Sequence, residues 1–205
     1  MTHTGTHTDT ARAEDAPSSA RRRQRARRRV AVLAVAAHLA LALTACSQPE
    51  AKRSFAVPSD LCGTPVPAAA VDPVLPRSGK TLKTLARSRE VGRMHCRVVV
   101  DGTTVFSAIS EWWADPSVRM VAYSNPYIDL GEHTSADGTY MWSGKGGVRR
   151  VPCPVAAKDH PDLNQLFVRL LIYSEEFSNA DAAEDLLLAY AKAVADSADC
   201  KGPAS

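Results

Sequence analysis

The sequence lacks most of the short spellings that announce a chemistry. Its five cysteines include no CxxC pair, and no HExxH occurs, which removes the common zinc frameworks. There is no GxSxG, so no nucleophile elbow is written out, and no GxxxxGK[ST], so no Walker loop. Aromatic residues make up only 6% of the 205 residues. The longest apolar run, residues 30–43, is broken by His38 and falls short of the about 20 residues that a bilayer core demands. No Pro/Gly/Ser linker divides the second half, which argues against two domains there.

What is present begins with an ordered front end. A polar lead, residues 1–20, precedes an arginine cluster, residues 21–29, and then the apolar run. That order is the order of an export signal. The run ends in Leu43-Thr44-Ala45-Cys46, which resembles the lipobox of bacterial lipoproteins: a branched apolar residue, two small residues and a cysteine. The resemblance implies that the Cys46 thiol accepts a diacylglyceryl group and that a peptidase cuts just before it. Two acyl chains hold a protein stably to a bilayer where one gives only reversible binding. The expected address is the outer face of the cell membrane, reached through a lipid anchor. Paired arginines such as Arg28-Arg29 leave both the general and the twin-arginine export routes open.

Removing residues 1–45 changes the charge argument. Eight of the 25 basic and three of the 22 acidic residues precede Cys46, which leaves 17 against 19 and a net charge of −2 over 160 residues. The basic character of the whole chain belongs to the signal, and no nucleic-acid partner is expected. The remaining length suits a tether, residues 46–57, and one extracytoplasmic domain, residues 58–205.

Four cysteines remain for that domain: Cys62, Cys96, Cys153 and Cys200. An even number in an oxidising compartment reads as two disulfides, and spacing alone does not choose among the three connectivities. The pairing Cys62–Cys96 with Cys153–Cys200 is favoured because each bridge would tie a helix to a strand nearby in sequence.

Along the domain, Thr64 and Pro65 look like a helix start, with a short helix over residues 66–75. Residues 93–100 and 103–113 are β-rich and flank Asp101-Gly102, a strong hairpin signal. A helix is expected over 115–125, capped by Asp115 with Pro116 at its first position. A second hairpin is expected from 138–142 and 148–153 around Ser143-Gly144-Lys145-Gly146-Gly147. Residues 166–173 read as a central strand and residues 179–197 as a long helix capped by Ser178. The sum is an α+β domain: an antiparallel sheet with helices packed on one face and two disulfides.

Taken together, Leu61-Cys62, Cys96, Trp142-Ser143-Gly144-Lys145-Gly146-Gly147, Pro152-Cys153-Pro154 and an alanine-rich helix ending at Cys200 resemble secreted lipoproteins of high-GC Gram-positive bacteria, streptomycete-like in style. That group has no assigned activity. The resemblance implies an extracytoplasmic address and two disulfides, and it supplies no catalytic residue.

The candidate ligand-binding residues are Trp112, Trp113 and Trp142, whose flat faces suit sugar rings, although strand aromatics more often build core. Adjacent Trp112 and Trp113 should point to opposite sides of a strand. Between residues 77 and 97, seven bases (Arg77, Lys80, Lys83, Arg87, Arg89, Arg93, Arg97) accompany one acid, Glu90; this is either a solvated face or a patch for anionic headgroups or wall polymers. Acid pairs Glu175-Glu176 and Glu184-Asp185 read as helix-dipole partners, and His95, His133 and His160 show no ligand spacing. No catalytic residue, metal or cofactor is expected. The functional expectation is a lipid-anchored binding or accessory module that meets a cell-wall component or an envelope protein; the alternative is an envelope hydrolase whose site is dispersed in sequence.

Overall fold

The computed structural model describes residues 52–90, 92–157, 161–175 and 177–201, which belong to one folded unit. The expected signal, residues 46–51 of the tether with Cys46 among them, His160 and Glu176 lie outside the described residues. Among the described residues no helix is long and apolar enough to cross a membrane.

The unit opens with a small hairpin, β1 (Asp60–Leu61) against β2 (Thr64–Pro65), turned through Cys62 and Gly63 at φ values of 56° and 94°. Strand pairing therefore holds Thr64 and Pro65 extended, and the helix expected to start there begins later, as α1 (Ala68–Val71) followed by a single 3-10 turn, Asp72–Val74. Seven strands then form one sheet: β3 (Leu82–Glu90), β4 (Arg93–Val100), β5 (Thr103–Trp113), β6 (His133–Thr134), β7 (Tyr140–Ser143), β8 (Gly146–Val151) and β9 (Gln165–Ile172). Their order is β3-β4-β5-β9-β8-β7-β6, and each neighbouring pair is antiparallel. Between β5 and β6 lies α2 (Val118–Tyr123); after β9 come α3 (Ala180–Ala195) and α4 (Ala198–Lys201). The class is α+β, as the sequence implies.

The β4–β5 hairpin turns on Asp101 (φ 47°) and Gly102 (φ 87°), the paired positive angles of a type I′ turn. Asp101 also ties this turn to the start of β3, accepting from the backbone N–H groups of Lys80 at 2.9 Å and Thr81 at 2.8 Å, and these bonds hold its carboxyl below the usual range. The β7–β8 hairpin is tighter than its glycine-rich sequence suggests, because Gly146 and Gly147 are strand residues and the turn is Gly144-Lys145. Close approach explains those two glycines. A Cβ on Gly146, at φ 128°, would fall on the Leu170 carbonyl of β9, and one on Gly147 would press into Leu187 of α3.

Caps fall where a side chain can reach an unpaired N–H. Asn179, not Ser178, caps α3 by accepting from the Ala182 N–H at 3.1 Å, and Ser117, not Asp115, caps α2 by accepting from the Met120 N–H at 3.1 Å.

Strand alternation divides the side chains into two layers. Val98, Phe106, Ala108, Leu166, Val168 and Leu170 face α3, which buries Leu186, Leu187, Tyr190 and Val194 against them, and α1 joins the same cluster through Val71. The main helix layer is thus on one face. On the other face, α2 brings Val118 and Val121 onto Ile109, Phe167, Leu171, Val148 and Met141. Two disulfides clamp the α3 side: Cys62–Cys96 joins the first hairpin to β4 with Cα atoms 5.7 Å apart, and Cys153–Cys200 joins the chain after β8 to α4 at 5.0 Å. This is the favoured pairing.

Candidate functional site

The α2 face of the sheet is not uniform. Its β7–β8–β9 half is apolar and carries α2, whereas its β3–β4 half is built from Lys83, Leu85, Arg87, Arg93, His95 and Arg97. Register explains the grouping. Arg87 pairs with His95, Leu85 with Arg97, Arg93 with Glu111, and Arg97 with Ser107, and directly paired residues share a face. Lys83 and Arg87 are exposed, Leu85 is 40% exposed, and Arg93, His95 and Arg97 are half-buried. No ion pair neutralises Lys83, Arg87 or Arg97 among the described residues, and the Nε of Arg97 is buried without a hydrogen-bond partner.

At the seam between the two halves sits a buried ion pair. Arg169 of β9 meets Glu111 of β5 through Nε–Oε1 at 2.7 Å and donates from Nη2 to Oε2 at 3.1 Å; each side chain is 8% exposed. The shorter contact is ionic and lacks the alignment of a hydrogen bond. Arg169 also donates to the Ser124 hydroxyl at 2.8 Å, just past α2, and Arg93 approaches Glu111 with Nε 3.5 Å from Oε2. One carboxylate is therefore shared by two guanidiniums.

Above this pair opens a cleft of about 590 Å³ between the ends of β4 and β5 and residues 124–127. Trp112 and Trp113 line it, and Tyr127 stands at its rim 92% exposed. Trp112 packs toward the α3 core and Trp113 toward the α2 core, so the expected alternation holds, and both are half-buried. Trp142 does not line the cleft. It lies on β7 beside Tyr140 and His133, with ring centroids 5.1 Å away in each case, and it packs on the α3 side.

His95 is drawn into the basic face. Its Nε2 lies 3.0 Å from the Ser107 hydroxyl. Burial lowers its pKa from 6.5, and the nearby charges of Arg93, Arg97, Arg87 and Arg169 lower it further. A serine and a histidine in contact invite a catalytic reading, but Ser107 is fully buried and a base with a lowered pKa is a poor proton acceptor. No cluster of three or more His, Cys, Asp or Glu side chains suited to a metal occurs among the described residues.

Other sequence candidates have structural duties. Lys145, in the glycine-rich stretch that invites a phosphate-loop reading, donates to the carbonyls of Ser174, Glu175 and Phe177 at 2.7, 3.2 and 2.7 Å, fixing the approach to α3. Glu184 accepts from the Tyr140 hydroxyl at 2.6 Å. A second hollow, about 1080 Å³, lies where the chain enters the domain, but Arg53 there is committed to Asp72 and to the carbonyls of Pro76 and Leu75. Sequence reasoning reaches Tyr127 as one more aromatic suited to sugar rings but misses Glu111, Arg169 and Ser107, although an arginine inside the apolar run of residues 166–173 is a signal in itself.

Comparison with protein-family models, curated proteins and solved structures gives no match.

Proposed function

We propose that this chain is a lipid-anchored, extracytoplasmic binding module, attached through Cys46, whose ligand enters the cleft beside Trp112 and Trp113. The observation that carries the reading is the cleft itself, where half-buried indoles and the exposed Tyr127 adjoin the guanidinium of Arg93 and the buried Glu111–Arg169 pair. Flat apolar faces beside fixed polar groups are the ingredients of a site for a sugar of the cell wall. The Ser124 hydroxyl at the cleft donates to the Val121 carbonyl and accepts from Arg169, so neither of these hydrogen-bond partners is a general base, and this favours binding over hydrolysis.

The test combines address with ligand. Wild type, Cys46→Ala and Trp113→Ala are expressed in a Gram-positive host, fractionated, and the purified proteins titrated with soluble wall-glycan fragments while tryptophan fluorescence is followed. Wild type should sit in the membrane as a chain beginning at acylated Cys46, and Cys46→Ala should leave it. Trp113→Ala should stay in the membrane and bind the glycan measurably more weakly than wild type. Cleavage of the fragments by wild type would instead establish the hydrolase.

A further inference from the structure

The geometry points to a membrane-docking edge: the outermost strand, β3, lies against the anionic phospholipid headgroups of the bilayer through Lys83, Leu85 and Arg87, with Arg97 beside them, an inference that rests on the acyl anchor proposed above. Position comes first. β3 is the last strand on its side of the sheet, and the α2 core takes no residue from β3 or β4. Lys83, Leu85 and Arg87 alternate onto one face, opposite Val99, Arg97 and His95 in register. The two bases are exposed, Leu85 between them is 40% exposed, and Val99 is half-buried. Exposed bases flanking an exposed leucine suit a membrane interface, where charges meet phosphates and apolar side chains dip between headgroups.

Charge comes second. From residue 46 onward the chain has 17 basic and 19 acidic residues, so its overall charge gives no attraction to an anionic bilayer and any attraction must be local. Arg93 does not count toward it, being paired with Glu111 and opposite Glu90 in register, and His95 is neutral at neutral pH. Lys83, Arg87 and Arg97 have no ion pair among the described residues.

Reach comes third. Arg53 and Ser54 donate from their backbone N–H groups to the carbonyls of Arg77 and Gly79 at 3.0 and 2.9 Å, which fixes the chain's entry just before β3. From Cys46 to Lys52 the chain spans at most about 21 Å, and from Gly79 to Lys83 at most about 14 Å. A domain held so close to lipid needs little affinity to dock, because the tether makes the contact intramolecular. Each base near an anionic surface contributes about fivefold to partitioning, which is then enough. Contact through β3 also keeps the indoles of β5 two strands, about 10 Å, from the lipid.

The test uses the chain from residue 46 onward, which contains the whole folded unit, with Cys46→Ala so that no acyl chain contributes. The salt is about 0.1 M, where charges more than about 10 Å from the lipid are screened. This protein should sediment with vesicles of phosphatidylcholine mixed with phosphatidylglycerol, stay in solution with phosphatidylcholine alone, and dissociate as salt is raised. Lys83→Gln with Arg87→Gln should lower the partition coefficient about 25-fold, fivefold for each base, and an unchanged unfolding midpoint checks the fold of that variant. Lys192→Gln with Lys201→Gln removes the same charge from α3 and α4 and should leave partitioning within about twofold.

Equal sedimentation with and without phosphatidylglycerol, none with either, or equal losses in the two double variants would overturn the proposal and leave the bases of β3 with protection of the edge alone. So would tighter binding to a soluble glycerol-phosphate polymer than to the vesicles, which would make the edge a wall-polymer site. The acyl site is absent from this probe, so a failed anchor leaves the vesicle result standing, and a failed vesicle result leaves the anchor and the cleft standing.

Discussion

His95 has a neutral ring at neutral pH because burial and four arginines oppose its protonation, in that order of importance. The unfolded chain would titrate near 6.5 and the folded one below it. Between those two values the unfolded state binds more protons, so this residue's share of stability is complete above 6.5 and is lost as pH falls through the folded value. Ring-proton NMR of the native protein should place the His95 midpoint below 6.5, and Arg97→Gln should move it upward by removing one opposing charge. A midpoint at or above 6.5 would mean that the arginines do not face the ring. His95 stands in the sequence as an unremarkable histidine beside a cysteine. Its meaning depends on Arg87 and Arg169, eight and 74 positions away, which only strand pairing brings near.

At the scale of elements, the Glu111–Arg169 pair locks the two longest-range partners of the sheet, β5 and β9, and through Ser124 it also holds the end of α2. Burying both charges is costly, so the pair does not stabilise by much over a well-packed apolar pair, yet breaking it strands a charge. Arg169→Ala should therefore lower the free energy of unfolding by about 3–5 kcal/mol, while Glu111→Leu with Arg169→Met should lose far less or nothing. Urea unfolding of the two variants checks this: equal losses would show that size, not charge, matters there. Elements with strong local signals are legible in the chain, including the Asp101-Gly102 hairpin, the β9 run and α3. β3 is not, because an edge strand with bases on its open side has no apolar alternation to read, and lysines and arginines on such an edge discourage pairing with other chains. Cap positions shift by one or two residues for a similar reason: Ser178 and Asn179 both qualify by type, and which of them meets a free N–H depends on where the loop from β9 delivers the chain.

Over the whole molecule, the two bridges lie on the α3 side and close loops of 34 and 47 residues. In the chain-entropy model each stabilises by about 4 kcal/mol. Cys153→Ala with Cys200→Ala should then release α4 and lower stability by about that amount, read by thermal unfolding. A loss well under 1 kcal/mol would mean that α3 is held by burial of Leu186, Leu187 and Tyr190 alone. The α2 side has no such bridge, and it is there that the cleft and the basic face are found.

By itself the sequence determined the α+β class, the expectation of an export signal and acyl site, and the even cysteine set, because each is written in local order, composition or count. Only the tertiary structure decided the cysteine pairing, the sharing of Glu111 between Arg169 and Arg93, and the collection of Lys83, Arg87, Arg93, His95 and Arg97 on one face. Those depend on register. In a sheet with a side-chain period of two, a slip of one residue would turn every one of those bases into the core.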